Sequence, residues 1–186
     1  MATFDDELLS AARLLGKRKS GQKGKIPSAR IRRSISTTYY ALFHFILDET
    51  GKLVVGATND VKARRRLLSR TVAHKSIKTA LDRVRGNAID QQFSDFFRYK
   101  AATGTPVPPR FVREMARVFS DAQSKRHDAD YNLQQALSAR DATLLQRRVR
   151  EVIKLWRASK SQQDRDFKKA ICLLIVLKGN LRSDNA

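Results

Sequence analysis

Residues 28–49, SARIRRSISTTYYALFHFILDE, carry apolar side chains at helical spacing after a basic start. Ile35, Leu42 and Phe45 fall on one face of an α-helix, because positions three, four and seven residues apart share a side. Much of the remaining circumference is also apolar, which is typical of a helix that other helices surround. The stretch therefore predicts a central helix over residues 28–50.

The rest of the chain favours further helices. Its 186 residues include only eight glycines and four prolines, so turn-forming residues are scarce, and no strand-like alternation with hairpin signals occurs. This length suits one domain with a sizeable core. We expect an all-α helical bundle. Its other helices are predicted near residues 3–15, 60–84, 88–99, 109–138, 141–159 and 163–178.

The charge of the chain is strongly positive. Thirty-eight Lys and Arg residues stand against 18 Asp and Glu, a formal net charge of +20, and residues 8–47 and 61–81 contain no acid. A field of this sign attracts polyanions. Nucleic acid is the first candidate partner, an acidic protein the second and an anionic membrane surface the third. A solvated basic surface without a specific role is the remaining interpretation.

Residues 16–28, GKRKSGQKGKIPS, are interpreted as a mobile basic loop between the first two helices. Lysines and arginines here and at the start of the second helix could contact phosphates. The predicted nucleic-acid-binding residues are Lys17, Arg18, Lys19, Lys23, Lys25, Arg30, Arg32 and Arg33.

Several classes of site have no sequence support. Cys172, the one cysteine, lies in the apolar run AICLLIVL and is interpreted as a small buried hydrophobe. No pair of His or Cys residues has metal-ligand spacing, and no glycine-rich phosphate loop occurs, so neither a metal nor a cofactor is predicted. The acidic start MATFDDELL does not resemble a signal peptide, and no apolar run reaches the ~18 residues of a membrane span. A cytoplasmic protein is expected.

Residues 124–132, SKRHDADYN, place charged residues within the fourth long helix, where its apolar stripe continues. Arg126 occupies the stripe position between Ala122 and Ala129. Asp130 follows four residues later on the same side, and an Arg–Asp pair at this spacing can hold a guanidinium in place. The pattern therefore predicts that Arg126 enters the bundle or lines its rim with Asp130 as its partner.

Two interpretations of this pair stay open. An exposed pair is worth only ~0.2–0.5 kcal/mol, whereas losing one partner of a partly buried pair costs several kcal/mol. A partly buried Arg126 makes functional sense if it is presented to a phosphate or to a second subunit. Alternatively, the helix leaves the core here and its charges are solvated.

Two motifs resemble the HEPN superfamily of small α-helical domains. RSISTTYYALFHFILDE is similar to the YYAlFH helix of that superfamily, and RHDADYN is similar to the R-x-x-A-D-Y signature of one of its branches. The motifs lie on separate helices in the expected order, and the resemblance covers roughly residues 5–138. It implies a HEPN-like, up-and-down helical bundle over residues 1–138, an extension of two helices over residues 139–186, and a homodimer.

The resemblance also implies a function. Many HEPN proteins are metal-independent ribonucleases of toxin–antitoxin pairs, with a nucleotidyltransferase partner, or of antiphage systems. Their catalytic motif is R-x(4–6)-H, and this chain departs from it, because no arginine precedes His44, His74 or His127 at that spacing. His44 is interpreted as a buried histidine rather than a base.

The remaining residues could still support chemistry. Metal-independent RNA cleavage needs a base, an acid and a cation. Arg126 could supply the cation, and His127 or Tyr131 could move a proton. The candidate catalytic residues are Arg126, His127, Asp130 and Tyr131. The sequence thus supports an RNA-targeting HEPN-like ribonuclease, with two alternatives. One is a non-catalytic basic module that binds nucleic acid or an acidic partner, and the other is a helical scaffold subunit.

Overall fold

A computed structural model describes residues 3–18, 21, 23–86 and 107–177 of the chain. Every regular element in these ranges is an α-helix, and no strand occurs among them, so the predicted all-α class is confirmed for the described residues. The helix predicted over residues 88–99 lies outside them. The helices are α1 (Phe4–Leu15), α2 (Ser28–Val54), α3 (Lys62–Thr71), α4 (His74–Asp82), α5 (Arg110–Tyr131), α6 (Ala139–Ala158) and α7 (Gln162–Val176).

Helices α6 and α7 begin with the capping boxes that the sequence predicts. The Asp141 carboxylate accepts hydrogen bonds from the backbone N–H and the hydroxyl of Ser138, and Ser138 Oγ accepts one from the N–H of Asp141. Ser161 and Asp164 make the corresponding backbone exchange at the start of α7. These bonds satisfy N–H groups that the first turn of a helix leaves without partners. They also hold the pKa of Asp141 below its usual range.

Helix α2 is longer than predicted. It continues past Gly51, where the sequence indicated a loop, and ends at Val54. The aliphatic part of Arg65 packs against Gly51, 3.4 Å from where a Cβ would stand. The turn that follows uses Gly56, with φ of 123°, a region that favours glycine. The Arg65 guanidinium donates to the carbonyls of Gly56 and Thr58, both at 2.7 Å, and so fixes this turn.

The single helix predicted over residues 60–84 is wrong, because the chain breaks into α3 and α4. Val72 and Ala73 are extended, with ψ of 114° and 157°. The two helices also differ in burial: α3 has no buried residue, whereas Ile77 and Leu81 of α4 are buried. The break turns the Val72 side chain inward, to 8% exposure. The apolar residues of this stretch therefore do not form one continuous stripe.

Helix α5 ends at Tyr131, so the predicted continuation to residue 138 is wrong. The predicted stripe holds as far as Ala129, which is buried, but Leu133 is 78% exposed and Ala136 is also exposed. The physical reason is a capping interaction. The Arg32 guanidinium donates hydrogen bonds to carbonyl groups at and beyond the end of α5, and the chain turns away from the helix axis there.

The chain divides into two compact units. The first consists of Met1–Phe45 and Val118–Lys154, and the second of Ile46–Arg117 and Leu155–Ala186. Helices α2, α5 and α6 contribute residues to both. The division into residues 1–138 and 139–186, like the HEPN-type bundle, stays a prediction.

The core of the first unit is apolar with a small polar group inside it. Ser34 Oγ donates to the Ala12 carbonyl at 2.8 Å, and Gln146 Nε2 donates to the same carbonyl at 3.2 Å and to Ser34 Oγ at 2.9 Å. Buried polar groups require such partners. The larger buried apolar residues here are Leu9, Ile31, Ile35, Tyr39, Leu42, Phe43, Phe45, Val118, Phe119, Leu145, Val149, Val152 and Ile153.

In the second unit, α4 packs on α7. Trp156 is 4% exposed, which confirms its predicted place in the core, and its indole N–H donates to Glu49 at 2.9 Å. Lys168 is also buried. Its ammonium group donates to the carbonyls of Trp156 and Ser159, at 2.6 and 2.5 Å, and lies 5.4 Å from the centroid of the Phe111 ring. Lys168 thus caps the C-terminal end of α6 from inside.

Candidate functional site around Arg126

The predicted pair of Arg126 and Asp130 is present on α5. Arg126 Nε lies 2.7 Å from Asp130 Oδ2, and the two side chains are 22% and 25% exposed. The pair is therefore neither fully solvated nor fully buried. Nε is buried and makes no aligned hydrogen bond, so the contact is a charge attraction that favours this position of the guanidinium, while part of the cation stays open to solvent.

Two tyrosines flank the guanidinium. Arg126 Nη2 donates to Tyr40 Oη at 3.1 Å and to Tyr131 Oη at 3.5 Å. The guanidinium carbon lies 5.7 Å from the Tyr40 ring centroid and 5.3 Å from that of Tyr131, both within cation–π range. Burial lowers the pKa of Arg126, but the Tyr40 hydrogen bond and the charge of Asp130 outweigh it and raise the pKa. The site thus holds a permanent cation.

Asp130 connects α5 to α2. Ser36 is 1% exposed, and its hydroxyl donates a short hydrogen bond to Asp130 Oδ1. Since Oδ2 faces Arg126, one carboxylate holds both a buried serine and the guanidinium. Sequence reasoning missed Ser36 and Tyr40. The available signal was their spacing of four residues, which puts both on one side of α2.

Tyr39, next to Tyr40, has a different environment. It is 1% exposed, and its ring centroid lies 5.7 Å from that of Phe119. Burial raises the pKa of Tyr39 well above its ordinary value. Tyr39 is therefore a core residue, and Tyr40 is the tyrosine that α2 contributes to the site.

His127 and Tyr131 lie at the open side of the cluster. Both are exposed, Tyr131 by 64% of its surface, and their ring centroids are 5.2 Å apart. The Tyr131 hydroxyl also contacts Arg126, so the four residues Arg126, His127, Asp130 and Tyr131 form one chain of contacts. Two groups able to move protons thus stand beside a cation on an accessible surface.

The other two histidines have separate surroundings. The half-buried ring of His44 packs edge-on against Phe4 and Phe43, with centroids 5.1 and 5.5 Å away. Burial lowers the pKa of His44, which fits the predicted buried histidine. His74 is the first residue of α4, in the second unit.

Two of the predicted nucleic-acid-binding arginines cap helices. The Arg30 guanidinium donates to the carbonyls of Leu14 and Lys17, at 3.0 and 2.7 Å, where α1 ends. The Arg32 guanidinium donates to five carbonyls at and beyond the end of α5. They belong to Asp128, Ala129, Asn132, Leu133 and Gln135, at 2.7 to 3.2 Å. Both arginines therefore have structural roles.

The other predicted nucleic-acid-binding residues are at the surface. Arg33 is exposed and lies seven residues before Tyr40, two helical turns away on the same side of α2. Lys19 lies outside the described residues. The remaining residues, all exposed, are Lys17, Arg18, Lys23 and Lys25.

Among the described residues, no cluster of three or more His, Cys, Asp or Glu side chains could hold a metal ion. In the same ranges, no helix combines the length and the apolar character required to cross a membrane. The chain matches no family model, no curated protein and no solved structure.

Proposed function

We propose that this protein is an RNA-targeting, HEPN-like, metal-independent ribonuclease whose site is centred on Arg126. The observation that carries the proposal is the placement of Arg126 between Tyr40, Tyr131 and Asp130, with the exposed His127 ring beside Tyr131. A cation in fixed orientation is suited to the charge that develops on a phosphate in the transition state.

The proposed reaction uses the RNA 2′-hydroxyl as nucleophile. His127 accepts the 2′-proton as the 2′-oxygen bonds to phosphorus, the bond from phosphorus to the 5′-oxygen breaks, and Tyr131 donates a proton to that oxygen. The products are a 2′,3′-cyclic phosphate and a 5′-hydroxyl. Arg126 stabilises the additional charge on the phosphate oxygens, and Asp130 positions Arg126.

The exposed bases supply the binding surface in this proposal. Arg33 lies on the Tyr40 side of α2 and is the base nearest to the site along that face. Lys17, Arg18, Lys23 and Lys25 extend the positive charge along the loop. RNA affinity should therefore fall with salt, by about 0.7 in log affinity per log unit of salt for each phosphate contacted in a single strand.

The HEPN resemblance adds the biological setting to the proposal. It suggests a homodimer in the cytoplasm that acts as a toxin or antiphage effector, with a nucleotidyltransferase-type antitoxin as partner.

A non-catalytic binding module is the second candidate. It is favoured by the missing R-x(4–6)-H spacing. In this function, Arg126 and the exposed bases hold an RNA phosphate, or an acidic protein, without proton transfer.

Cleavage of a labelled RNA in excess EDTA tests the proposal. The wild-type protein should produce 2′,3′-cyclic phosphate ends, and an RNA with a single 2′-deoxy nucleotide at the cleaved position should stay intact there. His127→Ala should lower the rate at least about 100-fold, the usual contribution of acid–base catalysis. Arg126→Gln should have a comparable effect, whereas His74→Ala, a histidine of the other unit, should cleave normally.

The outcomes separate the candidates. Equal rates for His127→Ala and wild type would remove His127 from the mechanism. If wild-type protein binds RNA with a steep salt dependence but never cleaves it, the binding module is correct. A protein that binds no RNA at low salt fits neither the ribonuclease nor an RNA-binding module, which leaves the acidic protein as the partner.

A further inference from the structure

A pocket of about 260 Å³ lies in the first unit, between the end of α1 and the middle of α6. Arg13 and Lys17 line it from the α1 side, and Arg147 and Arg150 from the α6 side. None of these four cations belongs to the Arg126 cluster. The pocket is thus a separate concave surface with basic residues from two helices.

The positive charge of this pocket is not balanced within it. Among the residues that the structure describes, Glu151 is the one acid in the lining, and it lies 3.9 Å from Arg147, with both side chains 68% exposed. Such an exposed pair is weak. Four like charges around a small cavity repel one another, and an anion placed between them would relieve that repulsion.

The base of the pocket is fixed by the core. Gln146 is 7% exposed, lines the pocket and has its Nε2 bonded to Ser34 Oγ and to the Ala12 carbonyl. Gly16 leaves the room for this arrangement, because a Cβ there would stand 3.0 Å from Ser34 Oγ and 3.3 Å from Gln146 Nε2. Arg150 donates to the Leu9 carbonyl at 3.4 Å, which holds one of the four cations against α1.

The lining also indicates which anion would fit. No aromatic side chain of the described residues lines the pocket, so this lining offers no surface on which a nucleobase would stack. Arginine and lysine are the usual partners of phosphate oxygens. We propose that this pocket binds a phosphate group, carried either by a small diphosphate-type ligand or by the 5′ end of an RNA. The inference does not depend on the ribonuclease proposal, since the pocket shares no residue with the Arg126 cluster and one residue, Lys17, with the proposed RNA-binding surface.

Titration with inorganic pyrophosphate, followed by calorimetry at low salt, tests the site. Arg13→Gln and Arg147→Gln should each weaken binding about tenfold, the loss of one charge-assisted hydrogen bond. Arg140→Gln removes the same charge from an exposed position of α6 outside the pocket and should change the affinity less than about twofold. Melting curves should show that all three variants fold, as expected for exposed side chains.

Two RNA oligonucleotides of one sequence distinguish the sources of phosphate. If the pocket takes an RNA end, a 5′-phosphorylated oligonucleotide displaces pyrophosphate and its 5′-hydroxyl counterpart does not. If the ligand is a small diphosphate, neither displaces it selectively, and the Arg13 and Arg147 effects remain. Equal weakening by Arg140→Gln would show diffuse attraction only and overturn the proposal. Absence of pyrophosphate binding together with equal behaviour of the two oligonucleotides would overturn it as well.

Discussion

The guanidinium of Arg32 lies 2.9 Å from the main-chain oxygen of Asp128, 96 residues away in the sequence. This contact belongs to a set of five bonds from Arg32 to main-chain carbonyl groups at and beyond the end of α5. The same end of α5 carries Arg126, Asp130 and Tyr131. The candidate site therefore depends on Arg32, although Arg32 is not part of the site.

Arg32 and its neighbour Arg33 should behave oppositely when changed to glutamine. Arg32→Gln should lower the free energy of unfolding by about 1–3 kcal/mol, because the carbonyl groups at the end of α5, two of them in partly buried bonds, lose a charged donor. Arg33 is exposed, so Arg33→Gln should leave stability within about 0.5 kcal/mol while weakening RNA binding. Urea unfolding and RNA titration of both variants provide the measurement. Loss of RNA affinity in fully folded Arg32→Gln would show that Arg32 contacts RNA directly.

Asp130 should prove to be a positioning residue rather than a source of charge for the substrate. In Asp130→Asn, the amide oxygen can still accept one hydrogen bond, so part of the activity should remain, whereas Arg126→Ala should abolish it. Ser36→Ala, which removes the other partner of the carboxylate, should give an intermediate loss. RNA cleavage or binding per folded molecule, corrected by circular dichroism, is the readout. If Asp130→Asn and Arg126→Ala merely lower the melting temperature together, the pair is structural.

Lys168 should contribute to stability in spite of its buried charge. Its ammonium group satisfies two carbonyls at the end of α6 and lies over the Phe111 and Trp156 rings. Lys168→Met keeps much of the length but loses these bonds, and should cost about 1–3 kcal/mol. The exposed Lys169 is the matched control, and Lys169→Met should be neutral. Thermal melting of both variants is the measurement. If Lys168→Met melts at a higher temperature than the wild type, the free-energy cost of burying the ammonium charge outweighs its hydrogen bonds.

His44 should make stability depend on pH. Burial lowers the pKa of His44 from 6.5 in the folded protein, so the unfolded chain takes up the proton at higher pH. The stabilisation is complete above about pH 6.5 and is lost as pH falls from there towards the folded-state pKa. His44→Phe keeps a ring against Phe4 and Phe43 but cannot titrate, so its unfolding free energy should fall less between pH 7.5 and 5. Parallel slopes for the two proteins would contradict this expectation.

Cys172 should be inert in the folded protein. It is 1% exposed, and burial raises the pKa of its thiol to about 12, whereas the thiolate is the reactive form. An aromatic disulfide reagent at neutral pH should therefore label the thiol only as fast as the protein opens, and at once in denaturant. Since the chain has one cysteine, the signal is unambiguous. Immediate labelling without denaturant would show that this part of α7 is accessible.

The sequence predicted best those features that depend on neighbours along the chain. The Ser138 and Ser161 caps and the pair of Arg126 with Asp130 all involve residues three or four apart, where helical geometry alone brings side chains together. Trp156 was placed in the core from the periodicity of one helix. Local spacing was sufficient in each of these cases.

Features set by distant partners were missed. The end of α5 at Tyr131 depends on Arg32, and the extension of α2 to Val54 depends on Arg65, and neither bond can be inferred from helix periodicity. For the same reason, the apolar periodicity of α2 does not indicate that Tyr40 and Ser36 contact α5. Their partners are 86 and 94 residues away.

The first turns of α2 contain three arginines and no acid, an arrangement that opposes the dipole of the helix they begin. The guanidinium groups of Arg30 and Arg32 instead donate to carbonyl groups at the C-terminal ends of α1 and α5, where the helix dipole is negative. The first turns of α2 therefore depend on α1 and α5 for their stability, and an isolated α2 peptide would fray there.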